Sequence, residues 1–562
     1  MRVAKKGTHL QKKSRRVEEA VLSGEALLAL GVPAAGIEFV AAVASLPGNT
    51  FMAGLQESGV FDAEHLVWLS SGKTAAEVAA GAVFAGKNAL LSLRGSELPM
   101  ALDVLSSLPL REHSGILLIF SADDPNAWFS HSLVDSRMLA AAANLPVLEV
   151  ASPEGALSIA GRAARIAGES GLPVLVRYTA GFAVESFAAN GWRFEKGAAG
   201  GSRRRPDSAA VPEEPLEAGL HWRRRLDRLR EKFNPGKRLL QAGTGARGIL
   251  AAGFVAQKVL EVADFDRYPF RLLGLENVHP VPEKPLRSFL QEVQDVLVLE
   301  DGDPLVETQL RLFVQQHNLN HRISGKLDYT VPRFGELQRW QIEDLIGRWH
   351  PGFTAKEFFF PAQEQPDLLL AEGFCRGCDY PKAIDLLSQL LQERGVLEKT
   401  LFVTTPGCIA RELARRRVQP LIPFTPGSAI AVGAGLAKSQ AGKMVLAVLG
   451  DTAFFHSGLN GLLDAIYQRA DLFVLVLDNG MSAQTGLQPN VGSGKDAFGG
   501  IAPKVAIEDL LLAVDLRVEF VSVFEEKKFR AAFSSLLGQA GVRVLIVKIP
   551  CYFDGDIVSG ET

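Results

Sequence analysis

Cysteine is scarce: only four occur in 562 residues, at Cys375, Cys378, Cys408 and Cys551. So few in so long a chain argue against a disulfide framework and fit a reducing, cytoplasmic setting. The Cys-x2-Cys-x2-Cys-x3-Cys-Pro run of iron–sulfur domains is also missing, so this chain is expected to hold no cluster of its own. Charge of one sign is lacking: Lys+Arg 60 against Asp+Glu 63 leaves −3, which gives no global case for nucleic-acid binding. The triplets Arg203-Arg204-Arg205, Arg223-Arg224-Arg225 and Arg415-Arg416-Arg417 read most simply as solvated faces. Apolar runs stop well short of the ~20 residues that span a bilayer, so no membrane partner is expected. Residues 1–21 are rich in Lys and Arg but lack the apolar core of an export signal, and read as a solvated arm. No repeat of solenoid period is present.

What the chain has is apolar material, 47% of residues, and a length that suggests several domains. From Leu22 to about Phe194, strand-like runs alternate with helical patterns. The strands are read at Ile37–Val43, Ala89–Leu93, Gly115–Phe120, Val147–Val150 and Val174–Arg177, with helices such as Thr74–Ala85 and Pro153–Gly168 between them. That alternation predicts an α/β layer fold with a mainly parallel sheet over residues 22–195. Residues 196–237 read as a linker with a charged, exposed helix at His221–Phe233. A smaller α/β unit is expected over 238–349, with strands at Gly248–Ala251 and Asp295–Leu299, and a third unit over 350–562.

The third unit carries the most telling pattern. Met444–Leu449 and Leu472–Leu477 are short, β-branched apolar runs that read as buried parallel strands joined by a helix from His456 to Arg469. One ends at Gly450-Asp451-Thr452 and the other at Asp478-Asn479-Gly480. A β-α-β unit sets Asp451 and Asn479 side by side at the carboxyl edge of one sheet, where open α/β sheets bind ligands. A carboxylate and an amide oxygen are hard donors, suited to a Mg²⁺ that also holds a phosphate. Gly-Asp alone is an ordinary turn; the whole unit, with 479 − 451 = 28, fits the G-D-x…N motif of thiamine diphosphate (TPP) enzymes.

Taken together, the motifs resemble the large (alpha) subunit of indolepyruvate:ferredoxin oxidoreductase, a TPP-dependent 2-oxoacid oxidoreductase. They run in order from Leu46-Pro47-Gly48 through Glu77–Gly81, Ala122–Pro125 and Asp135-Ser136-Arg137. They continue through Leu299–Pro304, Pro332–Glu336, Cys375–Cys378, Gly435–Lys438, Gly450-Asp451, Leu477–Asn479 and Thr485–Pro489. The resemblance implies two TPP-binding-type parallel-sheet domains flanking a smaller, transketolase-C-terminal-like α/β domain. It implies a pyrimidine-binding first domain and a last domain that holds the diphosphate. Asp451, Asn479 and the Met481 carbonyl would hold the metal, with Gly427, Ser428, Gly450, Thr452, Ala453 and Ser482 around the diphosphate. It further implies an indolepyruvate- or aryl-pyruvate-type 2-oxoacid substrate, oxidative decarboxylation, a dimer or other homo- or hetero-oligomer, and a small oxidoreductase subunit and ferredoxin as partners.

The chain also departs from the family. The Glu that activates the cofactor falls, in a register set by Glu77–Gly81, on Gly72, which has no side chain to move a proton. Lys73 could approach the pyrimidine, but a cation would oppose protonation there; Glu77 reads as structural. The family's Lys-His pair becomes Arg94-Gly95, its later Asn becomes Pro99, and its threonine-serine loop becomes Asn49–Met52. Its Met-Gly-Ala-Ser stretch becomes Pro426–Ala429, and its ferredoxin-like domain is expected beyond the point where this sequence stops, at Thr562. Cys375 and Cys378 make at most half a zinc site. His456 either faces the reacting end of the site or packs as a cap; His131 lies in the matched substrate-side loop. Three functions follow: a TPP- and Mg²⁺-dependent oxidoreductase subunit, a non-redox TPP decarboxylase or carboligase, and a degenerate scaffold or regulatory subunit.

Overall fold

A computed structural model describes residues 21–111, 113–130, 132–188, 214–232, 240–356, 378–415, 424–439, 442–514 and 516–551. Cys375, His131 and most of the 196–237 linker lie outside these residues. The protein is mixed α/β, built on three main sheets, all of them largely or wholly parallel.

The first sheet has seven strands in the spatial order Asn277–His279, Val147–Glu149, Val174–Thr179, Leu117–Asp123, Ala89–Arg94, Phe39–Val43, Leu66–Leu69. Six are parallel; Asn277–His279, from the following unit, adds antiparallel to one edge. The central strands bury both faces, as their unbroken apolar runs require. The strand expected at Gly115–Phe120 lies at Leu117–Asp123, which puts Asp123 at its carboxyl end. Leu66–Leu69 is an additional edge strand, too short for its pattern to announce it.

The helix expected at Thr74–Ala85 begins earlier and runs Gly72–Phe84, because the Ser71 hydroxyl caps it by accepting from the Thr74 N–H. Helix Pro215–Lys232 is not simply an exposed charged rod. Trp222 and Leu226 are buried in the first unit's core, and Trp222 Nε1 donates to the Asn144 carbonyl at 3.1 Å.

The middle sheet orders Arg322–Ser324, Asp295–Leu299, Arg247–Ala252, Phe270–Leu275 and Leu240–Gly243, the last antiparallel. The third is fully parallel: Thr400–Thr404, Met444–Gly450, Leu472–Asp478, Arg543–Lys548, Arg517–Ser522. Here Gly450 pairs with Leu477, so Asp451 and Asn479 both leave the sheet at its carboxyl edge. Among the described residues no helix is long and apolar enough to cross a membrane.

Candidate functional site

A cavity of about 1230 Å³ opens between the carboxyl edges of the first and third sheets. Its floor in the third unit is Gly450, Asp451, Thr452, Asn479, Met481 and Ser482; its opposite wall includes Val43, Trp68, Arg94 and Glu97 of the first unit. Of the residues singled out in sequence, Gly450, Asp451, Thr452, Ala453, His456, Asn479, Met481 and Ser482 line this one space. Gly427 and Ser428 stand behind the wall, while Thr425 and Pro426 reach it.

Asp451 is buried, 2% exposed. Its carboxyl is pushed up to about 7, first by burial and then by the neighbouring Asp478 charge. Asn490 Nδ2 donates to Asp451 Oδ2 at 2.8 Å and to Thr452 Oγ1 at 2.9 Å. The Thr452 hydroxyl also donates to the Met481 carbonyl at 3.2 Å and lies 3.1 Å from Ser482 Oγ. Asn479 Oδ1 accepts from the Met481 N–H at 3.2 Å, which closes a tight turn around Gly480. One carboxylate, one amide oxygen and one peptide carbonyl thus gather on the cavity floor, and a buried acid beside a second acid is an arrangement that a cation relieves. The residues therefore fit a divalent ion bound together with a diphosphate. Among the described residues no cluster of three or more His, Cys, Asp or Glu suited to a metal is found, so the set depends on amide and carbonyl oxygens.

Gly427 has φ +87°, and a Cβ there would lie 2.4 Å from the Ala453 carbonyl oxygen and 2.5 Å from the Gly458 nitrogen. Only glycine lets the 424–428 loop sit this close to the helix after Asp451. Ser457 Oγ ties the two together by donating to the Pro426 carbonyl at 2.7 Å. Ser428 spends its hydroxyl locally, donating to the Thr425 carbonyl at 2.6 Å.

The helix leaving Asp451 passes through a π-helical turn at Phe454–Gly458 before resuming at Leu459–Tyr467. Such turns insert an extra residue and re-aim side chains. His456 sits in this turn, buried, and its Nε2 lies 3.0 Å from Glu97 Oε2 and 3.2 Å from Glu97 Oε1, across the junction between the two units. Glu97 is the residue that sequence reading missed. Its loop stands out in sequence only through Arg94, Gly95 and Pro99, since a lone Glu gives no local signal.

Lys73 does not approach the cavity: it pairs at the surface with Asp103 at 2.6 Å and Glu77 at 2.9 Å. The segment after Ser482 closes on the first unit, with Gln488 Nε2 donating to Asn49 Oδ1 and Gln56 Nε2 donating to the Ala497 carbonyl.

These features define a class: an α/β protein with a thiamine-diphosphate-type domain whose ligand-binding edge faces a second parallel sheet. Residues 416–547 match the family described as "Thiamine pyrophosphate enzyme, C-terminal TPP binding domain". More particularly, the chain is similar over most of its length to indolepyruvate oxidoreductase subunits IorA. It is 26% identical to that of Archaeoglobus fulgidus over 557 residues, which cover 95% of this chain and 86% of the relative. It is 26% identical to that of Methanothermobacter thermautotrophicus over 499 residues, covering 87% and 80%. The Pyrococcus abyssi subunit is 26% identical over 574 residues, covering 95% and 86%. Among solved structures, 2-oxoglutarate:ferredoxin oxidoreductase from Magnetococcus marinus is 14% identical with a TM-score of 0.44, covering 59% of this chain and 65% of that one. The resemblance read from the motifs thus holds across the chain.

Proposed function

We propose that this protein is a TPP- and Mg²⁺-dependent 2-oxoacid:ferredoxin oxidoreductase subunit of the alpha type. The observation that carries the reading is the juxtaposition of Asp451, Asn479 and the Met481 carbonyl on the floor of a cavity shared with the first sheet. Asp451, Asn479 and Met481 would hold Mg²⁺. Backbone amides and hydroxyls at Gly450, Thr452, Ala453 and Ser482 would face the diphosphate, and Gly427 and Ser428 would shape the loop beside it. When bound, TPP supplies a carbon nucleophile and electron sink for decarboxylating 2-oxoacids. The chain's residues bind and orient that cofactor, and the apolar wall formed by Trp68, Met100, Trp128 and Phe129 excludes water from the space beside it.

Relatives named as subunits support an assembly with at least one further chain, which would carry or contact the iron–sulfur acceptor. The scaffold reading gains no specific observation, because the cavity keeps two buried ionisable groups, Glu97 and His456, on its lining. The test is calorimetric titration of the full chain with TPP, with and without Mg²⁺. Metal-dependent binding is expected; absence of any TPP binding would overturn the reading.

A further inference from the structure

Resting on that reading, we propose that Glu97, paired with His456, supplies the carboxylate that meets the aminopyrimidine end of the cofactor, in place of the side chain Gly72 lacks. Glu97 reaches the position from a different loop. Its Oε2 accepts the Gly72 N–H at 3.0 Å, so the carboxylate lies against the main chain of residue 72. The two arrangements exclude each other: a Cβ on Gly72 would sit 2.4 Å from the Glu97 carbonyl oxygen. Glycine at 72 is therefore what admits the Glu97 main chain, and the same move that removes one carboxylate brings in another.

The pair is built rather than incidental. The Glu97 and His456 side chains are 2% and 3% exposed, both line the cavity, and they come from different units. Burial opposes the Glu97 charge, but the hydrogen bond and charge of His456, then Arg94 at 3.8 Å and the Gly72 amide, hold its pKa below the ordinary carboxylate value. His456 Nδ1 is buried and meets no hydrogen-bond partner among the described residues. A buried polar ring nitrogen is costly to leave unpaired, which points to a ligand group in the cavity. An aminopyrimidine has ring nitrogens that accept and an amino group that donates, and so complements a carboxylate–imidazole pair. Glu97 Oε1 would hold or give up the proton shared with a ring nitrogen. As that proton passes to the nitrogen, the carboxylate left behind is held by His456 Nε2 and the Gly72 N–H, so one proton moves and none is created.

The experiment compares the wild-type full chain with Glu97→Gln, Glu97→Asp and His456→Gln. Calorimetry reads TPP affinity in the presence of Mg²⁺, and quenched NMR reads deuterium exchange at the cofactor's thiazolium C2–H. Glu97→Gln is expected to remain folded, to bind TPP within about tenfold of wild type, and to exchange about 100-fold or more slowly, the size of a general acid–base contribution. Glu97→Asp is expected to recover part of that rate.

Wild-type exchange rates in Glu97→Gln, or wild-type exchange no faster than free TPP, would overturn the assignment while leaving TPP binding intact. If Glu97→Gln does not fold, Glu97→Asp and His456→Gln carry the same comparison, and undiminished exchange in both overturns it. If wild type binds no TPP, the functional reading fails first and the assignment falls with it.

Discussion

Asn490 holds Asp451 and Thr452 with one side-chain amide, at 2.8 Å to Asp451 Oδ2 and 2.9 Å to Thr452 Oγ1. The residue comes from the irregular segment after Ser482, not from the strand ends that mark the motif. On the proposed reading it orients the carboxylate that would face the cation.

Asp451→Asn is expected to abolish Mg²⁺-dependent TPP binding while leaving the melting temperature close to wild type. Asn490→Ala is expected to weaken binding by a smaller factor, roughly ten- to a hundredfold, the scale of about 1.5–3 kcal/mol for a hydrogen bond to a charged group. Calorimetry on both variants checks the order; equal loss, or none in Asn490→Ala, would contradict the positioning role.

Gly427→Ala places a side chain at φ +87° and within 2.4 Å of the Ala453 carbonyl. Left-handed backbone alone costs about 1–2 kcal/mol for alanine, and the overlap adds to it. The 424–428 loop is expected to shift away from Ser457. The readout is a lower melting temperature together with weaker TPP binding, whereas Gly219→Ala in helix Pro215–Lys232, where an added Cβ meets nothing within 4 Å, should leave TPP binding unchanged and not lower the melting temperature.

A second cluster, far from the motif, joins the first and middle units. Arg137 is fully buried and meets Asp135 at 2.7 Å, Glu300 at 3.1 Å and Glu149 at 3.4 Å. Arg177, also buried, meets Asp123 at 2.7 Å and Glu149. Arg137→Ala strands buried carboxylates without their cation and is expected to cost about 3–5 kcal/mol by denaturant unfolding. A loss below about 1 kcal/mol, the scale of exposed pairs, would show the cluster to be solvated.

Glu25 is buried beneath the loop after Pro47 and accepts the Gly48 N–H at 2.5 Å and the Phe51 N–H at 3.1 Å. Burial outweighs those bonds and raises its pKa from 4.5 to about 7. The folded form then holds the proton more tightly than the unfolded chain, so this contribution is fully present below about 4.5 and is lost as pH rises through about 7. Glu25→Gln cannot titrate. Its stability relative to wild type is expected to improve between pH 5 and pH 8, by up to about 3 kcal/mol at 1.36 kcal/mol per pKa unit. A pH-independent difference between the two proteins would refute the shift.

Much of the fold was legible because strand burial is written locally. Val174–Thr179 and Leu472–Asp478 are continuous apolar runs, and a run buried on both faces of a parallel sheet has no other pattern to show. Asp451 and Asn479 were legible for a related reason: once two strands are known to be neighbours and parallel, their ends coincide. Leu66–Leu69 and the π-helical turn at Phe454–Gly458 were not, since four residues carry too little periodicity and an inserted residue changes no composition.

By itself the sequence determined the layer architecture, the diphosphate-side motif and the loss of a side chain at position 72, because each depends on residues close along the chain. Only the tertiary structure decided that Glu97 fills the neighbourhood of Gly72 and meets His456, 359 residues away. It also decided that Trp222 is buried and that Lys73 turns to the surface. Such pairings arise from the docking of separate sheets, and the free energy of docking is spread over many apolar contacts, so no short stretch of sequence announces which polar groups will meet there.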